Sequence, residues 1–221
     1  MEELTIRRYR ASDRAAVRKI AWDTAFIGKP ADAFFQDKEI LADFLTIYFT
    51  DYEPESSFVA DRFGEAVGYI MGTINLDRME KTYRRFIIPR LVVKALLRGT
   101  LLHKKNLLFL FHCLQSWRRN EVMTFEYASP RLATLHINFA EPYRGKGAGA
   151  KIYARYELYL RQARVREIIL TTSSPDAGRF FVQQGFRLMR TGERSYYSHI
   201  TGEKLPVYYY GKRLRLHGNQ I

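Results

Sequence analysis

The sequence predicts an α/β (α+β) domain, and three stretches carry that expectation. Residues 137–163 join an apolar strand, a glycine-rich turn and an amphipathic helix; residues 167–172 form a second strand directly after it; and residues 57–74 alternate on either side of Arg62-Phe63-Gly64-Glu65 as a hairpin does. At 221 residues, with 47% apolar and 14% aromatic content, the chain suits one domain, 1–221, with a full core. Its single cysteine, Cys113, forbids an internal disulfide, and with no apolar leader in the first residues this points to a reducing, cytoplasmic setting. The apolar run near the middle, residues 107–111, is far short of the roughly 20 residues that span a bilayer. His103, His112, His136, His199 and His217 show no metal-ligand spacing, so no metal is expected.

The rest of the chain is placed around the glycine-rich turn. Gly145, Gly147 and Gly149 alternate with Lys146 and Ala148, which leaves backbone N–H groups uncovered at a helix N-terminus, where orphan donors and the positive dipole end favour an anion. Ile152, Tyr156, Tyr159, Leu160 and Ala163 then recur at three- and four-residue spacing, a stripe made to pack on a sheet. A Walker loop is excluded, because no Gly-Lys-Ser/Thr closes the turn. Gly145-x-Gly147-x-x-Ala150 fits the relaxed dinucleotide fingerprint poorly: Pro142-Tyr143-Arg144 separates strand from glycines, and the next strand runs into Thr171-Thr172-Ser173-Ser174 without an acid.

The third pattern, Arg144-x-x-Gly147-x-Gly149, resembles the acyl-CoA loop of the GNAT N-acetyltransferase superfamily. The likeness continues through the strand 167–172, Ala177, and Phe180-Phe181-Val182-Gln183-Gln184-Gly185-Phe186, similar to the family's helix ending in Gly-Phe. It covers most of the chain outside residues 77–121. Two positions depart from the family: Ser174 stands where many members open that helix with Asn, and Phe181 where they carry a Tyr. The resemblance implies the GNAT acyl-CoA N-acyltransferase fold, a central mixed, mostly antiparallel sheet of six to seven strands flanked by helices. It implies acetyl-CoA as donor, with its pyrophosphate on Arg144, Gly145, Lys146, Gly147, Ala148, Gly149 and Ala150. Its pantetheine would lie along Ile137, Asn138 and Phe139, where an N–H polarises the thioester carbonyl, with Ser174, Ala177 and Phe181 contributed by the second helix.

Taken in order, residues 4–7 alternate as a first strand, and Ser12 or Asp13 caps a helix bearing Val17, Ile20, Ala21 and Thr24. Gly28-Lys29-Pro30 breaks it, and a second helix is expected over 37–49. Between residues 31 and 55 seven acids (Asp32, Asp37, Glu39, Asp43, Asp51, Glu53, Glu55) face Lys38 alone, a net of −6, readable as a solvated face or as a field for a cationic amine. The hairpin supplies strands two and three. After it, between residues 78 and 119, eleven basic residues meet only Glu80, a net of +10 in a chain of net +13. Pro89 can open one helix of this insertion, with Arg90, Lys94 and Arg98 in line, Gly99 can close it, and Thr100 can cap a second through Trp117. Three readings stand for this pair, in order of preference: internal packing as a lid or subunit contact, a membrane surface, and nucleic acid. The last two require an exposed cationic face. Past Gly185, residues 186–189, 194–200 and 205–214 read as strands with a turn at 201–204, and Tyr208 and Tyr210 share a face that Tyr209 does not.

Acyl transfer to an amine needs a base for the amine and an acid for the leaving thiolate. Strand-four carboxylates often serve as base in the family; here Glu126 and His136 are the candidates, and Glu141 is a poorer one. With Phe181 in place of the usual Tyr, the thiolate proton comes from another tyrosine or from water. Cys113 sits among Leu110, Phe111, Leu114 and Trp117, which should blunt it as a nucleophile, so direct attack of a primary amine in a ternary complex is the expected reaction. The acceptor is a small, peptide or protein amine; a homodimer is a further expected partner. The rival is a GNAT-shaped protein that binds acyl-CoA, a membrane or nucleic acid without turnover.

Overall fold

The computed structural model describes residues 4–121 and 132–215. Seven strands form one sheet: β1 (Thr5–Arg8), β2 (Ser57–Arg62), β3 (Glu65–Thr73), β4 (Leu132–Phe139), β5 (Glu167–Thr172), β6 (Arg187–Arg194) and β7 (Leu205–Arg213), in the order β1-β2-β3-β4-β5-β7-β6. Every neighbouring pair is antiparallel except β4 with β5. That parallel pair holds only from Leu132↔Glu167 to Thr134↔Ile169, after which the two strands diverge.

Helices cover both faces. On one face α6 (Ala148–Gln162) buries Ile152, Tyr153, Tyr156 and Leu160 against Phe58, Ile70, Ala133, Leu135, Ile168 and Leu170. Each such side chain contributes about 1.5–3 kcal/mol on burial. On the other face α1 (Arg14–Thr24) sets Val17, Ile20 and Ala21 against Val59, Tyr69 and Met71. There α2 (Lys38–Ile47) starts at Asp37, whose carboxylate accepts the Ile40 N–H at 3.3 Å. It ends two residues before the expected 49, because Tyr48–Tyr52 widen into a π-turn that carries Glu53 inward. The Glu53 carboxylate is buried and accepts from Tyr48 Oη, Thr73 Oγ1 and the Ile74 N–H at 2.8, 2.6 and 2.9 Å, so its charge is fully solvated by protein donors.

The insertion is helical and docked, and it contains three helices rather than two: α3 (Leu76–Thr82), α4 (Ile88–Leu97) and α5 (Lys104–Arg118), with a π-turn at Tyr83–Ile87 joining the first two. Gly99, at φ 65°, ends α4 as expected. Arg98 Nε lies 3.0 Å from Asp37 Oδ2 and Lys94 Nζ 2.6 Å from Asp43 Oδ2, and buried Asn106 accepts the Gln36 N–H at 2.7 Å while donating to Thr100 O at 2.8 Å. Leu91 and Ala95 therefore face the core, Lys94 and Arg98 reach the acids of α2 from the border, and Val92, Val93, Leu96 and Leu97 face outward. Half of the expected apolar stripe, Leu91 and Ala95, packs inward, and the other half, Val92 and Leu96, stays in solvent. The acid-rich run is consumed by ion pairs. Asp37 and Asp43 meet Arg98, Lys94 and Arg18, Glu39 meets Arg18, and Asp51 meets Arg14, which leaves little of the predicted field for an amine.

The C-terminal reading is corrected at one place. Residues 194–200 do not form a strand: β6 is a single strand to Arg194, and the chain then turns into a short helix, α8 (Ser198–Thr201). Glu121, at the end of the insertion, accepts both the N–H and the Oγ of Ser195 at 2.8 and 2.6 Å, and Tyr197 stacks on Phe109 at 5.8 Å. These contacts override the local alternation. Tyr208 and Tyr210 do pack on the α6 face, with Tyr209 buried on the other.

Candidate active site

The divergence of β4 and β5 leaves a notch in the sheet, and the glycine loop sits at its mouth. Gly145 and Gly147 have φ of 70° and 78°, the left-handed region where a side chain is strained, and a Cβ added to either would meet no atom within 4 Å. The loop face is therefore bare backbone. Gly147 is the N-cap of α6, so the amides of Ala148, Gly149 and Ala150 lack helical acceptors, and among the described residues those of Gly145, Lys146 and Gly147 have no backbone acceptor either. With a 15-residue helix behind them, these donors form a cradle for an anion.

The Arg144 guanidinium is fixed beside the loop. Its Nε donates to Phe139 O at 2.9 Å and its Nη1 to Gly28 O at 2.8 Å, so it ties the loop after α1 to the end of β4. Two of its five N–H donors are spent on carbonyls, and those of Nη2 remain for an anion beside the amides.

The backbone of β4 faces the notch at alternate residues. The Ala140 N–H donates to Val67 O at 2.9 Å, so by the alternation of an antiparallel ladder Asn138 and His136 also turn their backbones to β3, while Leu135, Ile137 and Phe139 turn theirs to the notch. Of the three residues expected to pair with a pantetheine, Ile137 alone offers both backbone groups, since the Phe139 carbonyl is taken by Arg144 and Asn138 faces away. The Asn138 side chain donates to Tyr69 Oη at 2.9 Å, on the α1 face. His136 shares that face, its ring 5.7 Å from Phe49. One side of His136 is open to solvent, but the surrounding protein disfavours the imidazolium and lowers its pKa below the ordinary value, so the ring is neutral at pH 7 and able to accept a proton. Glu126, the other base candidate, lies outside the described residues.

The helix α7 (Pro175–Gln183) closes the other side. Ser174 caps it, its Oγ accepting the Ala177 N–H at 3.3 Å, and so replaces the family's Asn in that local role. A Cβ on Gly149 would lie 3.2 Å from Phe180, so the first turn of α6 approaches α7 closely. Phe181 is buried against Phe180 and Phe186, with ring centroids 5.2 and 5.4 Å away. The hydroxyl that this region does offer belongs to Tyr210, whose ring is 6.5 Å from Phe181 and whose Oη abuts Gly178 on α7. Sequence reasoning did not single out Tyr210 for this place, and no local signal could have done so, since β7 is threaded between β5 and β6. The same holds for Phe109 of α5, which reaches over the top to Phe34 (4.6 Å) and Tyr197 (5.8 Å) and roofs the region between the loop after α1 and the loop after β6. Hollows at Arg166, Glu167 and Arg213 and at Glu157, Arg161 and Lys212 lie elsewhere and are lined by ion pairs.

No family model and no curated protein matches the chain. Solved structures do. SsHAT is 26% identical over 96% of this chain and 98% of its own, with a TM-score of 0.71. The GNAT superfamily phosphinothricin acetyltransferase of Sinorhizobium meliloti, in complex with AcCoA, is 15% identical over 96% of this chain and 88% of its own, with a TM-score of 0.57. The ribosomal-protein-alanine N-acetyltransferase of Brucella melitensis is 18% identical over 96% and 100%, with a TM-score of 0.56. The seven-stranded sheet with its β4–β5 notch is the GNAT fold that these acetyltransferases share.

Proposed function

We propose that the chain is an acetyl-CoA-dependent N-acetyltransferase that acetylates a primary amine by direct attack in a ternary complex. The observation that supports this most is the pairing of a bare-amide loop at the start of α6 with the notch between β4 and β5. An anionic diphosphate suits the first and an amide-bearing arm the second. Acetyl-CoA supplies both, together with the activated acyl group. The amides of residues 145–150 would hold the diphosphate, and the Ile137 backbone would align the arm. His136, neutral at pH 7, would take a proton from the amine, and the Tyr210 hydroxyl, which lies against Gly178 of α7, would return one to the thiolate. Cys113 is unfit for a ping-pong route, because burial pushes its thiol up to about 12.

Release of free thiol from acetyl-CoA across a panel of small amines, polyamines and peptide N-termini tests the reading. Amine-dependent release supports it. Tight acetyl-CoA binding with no release on any amine would favour the non-catalytic reading, to which the missing hydroxyl at Phe181 lends weight.

A further inference from the structure

The insertion leaves a face that acetyl transfer does not use. Along α5, Leu107, Leu110, Phe111, Leu114 and Trp117 are exposed at three- and four-residue spacing, a single stripe turned to solvent, while Ser116 is buried on the opposite side and Asn106 at the stripe's edge. The joining turn continues it with Leu102, 87% exposed, and the outer side of α4 adds Val92, Val93, Leu96 and Leu97. Surface leucines are ordinary when scattered; a stripe with helical periodicity on a well-anchored helix is not.

Cations frame this stripe. Lys104 and Lys105 occupy the first turn of α5 and Arg118 and Arg119 its last residues and the cap, with Arg84 and Arg85 on the π-turn before α4. Among the described residues none of the six has a carboxylate partner; Lys105 reaches Asp32 O and Arg119 reaches Ser195 Oγ. Two lysines at a helix N-terminus oppose its dipole, so helix stability does not account for them. The inward cations, Lys94 and Arg98, are already matched by Asp43 and Asp37, which leaves the outward set for something outside the chain.

We infer that the α4–α5 face docks on an anionic lipid surface. An interfacial helix with leucine, phenylalanine and tryptophan on one side and lysine or arginine at the borders fits the boundary between headgroups and acyl chains, where negative surface charge attracts the border residues. Among the described residues no helix is long and apolar enough to cross a bilayer, so the contact is peripheral. A second copy is disfavoured as occupant, because a symmetric contact would press the six unmatched border cations of each copy together. Nucleic acid would use the cations and leave the leucines idle. The inference is independent of acetyl transfer and is read by binding alone.

The test is co-sedimentation of the full chain with vesicles of phosphatidylcholine alone and of phosphatidylcholine mixed with phosphatidylglycerol. The expected result is partition at least about tenfold higher on the anionic vesicles, with a blue shift of Trp117 emission. The other tryptophan, Trp22, is buried and should not respond. The double variant Leu110→Glu, Leu114→Glu changes only exposed positions and should lower partition by at least about tenfold while its circular dichroism stays unchanged. Absence of partition on anionic vesicles overturns the inference. So does partition that the double variant leaves intact, which would mark a purely electrostatic surface of the kind nucleic acid uses. A dimer by light scattering that the double variant dissociates, without vesicle binding, would assign the face to a second copy instead.

Discussion

The glycine loop and the insertion are both cationic at first sight, yet they use charge in opposite ways. At the loop, Lys146 is exposed and two of the five Arg144 N–H donors are tied to carbonyls, so what sets the loop apart is its row of backbone amides fixed by local conformation. In the insertion the charge is all in side chains, and half of its work is internal: Arg98 and Lys94 bind the acids of α2. A site made of backbone depends on φ angles and tolerates little change in them, whereas a dock made of side chains depends on pairs distant in sequence and can be dismantled one pair at a time.

The sharpest way to break this contrast is at Gly147. Gly147→Val forces a branched side chain into a φ of 78° and covers the amides. Losing two charge-assisted bonds, about 3 kcal/mol, should weaken acetyl-CoA binding by about 100-fold in calorimetry, with the far-ultraviolet circular dichroism retained. Unchanged affinity would remove the loop from the site.

His136→Ala should lower turnover by about 100-fold while leaving acetyl-CoA affinity unchanged, the size of effect expected for a general base. Because its pKa is lowered, the neutral form already prevails at pH 7, so the wild-type rate should fall only on acidification below the ordinary histidine range. A profile that rises only well above pH 7 would transfer the role to the amine itself or to another group.

On the insertion side, Asp37→Ala removes the cap of α2 and the partner of Arg98 and Thr100 together. Because Arg98 is partly exposed, the cost should be modest, about 1–3 kcal/mol by urea unfolding, with faster amide exchange through α4 and α5. If only α2 loosens, the insertion is held by its apolar contacts instead.

Glu121 gives a smaller effect that depends on pH. Burial opposes its ionisation, but hydrogen bonds from Ser195 and Ser116 and the ion pair with Lys204 outweigh that and hold its pKa at about 2, against an ordinary 4.5. Its contribution is present above 4.5 and is lost as the pH falls toward about 2, since only the unfolded chain takes up the proton in that window. Glu121→Gln should flatten the melting temperature against pH across this range. The smallest change is expected for Cys113→Ala, with turnover within about twofold of wild type; loss of activity with binding intact would reinstate an acyl-enzyme.

What the sequence determined by itself is the part whose physics is local. The strand 167–172, the helix start at Ala148, the uncovered amides of the glycine loop and the helix start at Ser174 all follow from residues within one turn of each other, and they lie where the spacing put them. Tertiary structure alone decided which way charge and apolar surface point. On α4, Leu91 and Ala95 face in while Val92 and Leu96 stay out, beside cations claimed by acids fifty residues earlier, and residues 195–197 leave the sheet because Glu121, more than seventy residues away, holds Ser195. Likewise Tyr210 comes to α7 only because β7 is inserted between β5 and β6. Periodicity says that a helix has two faces. Which face is buried is a contest between partners that the chain brings together only when it folds.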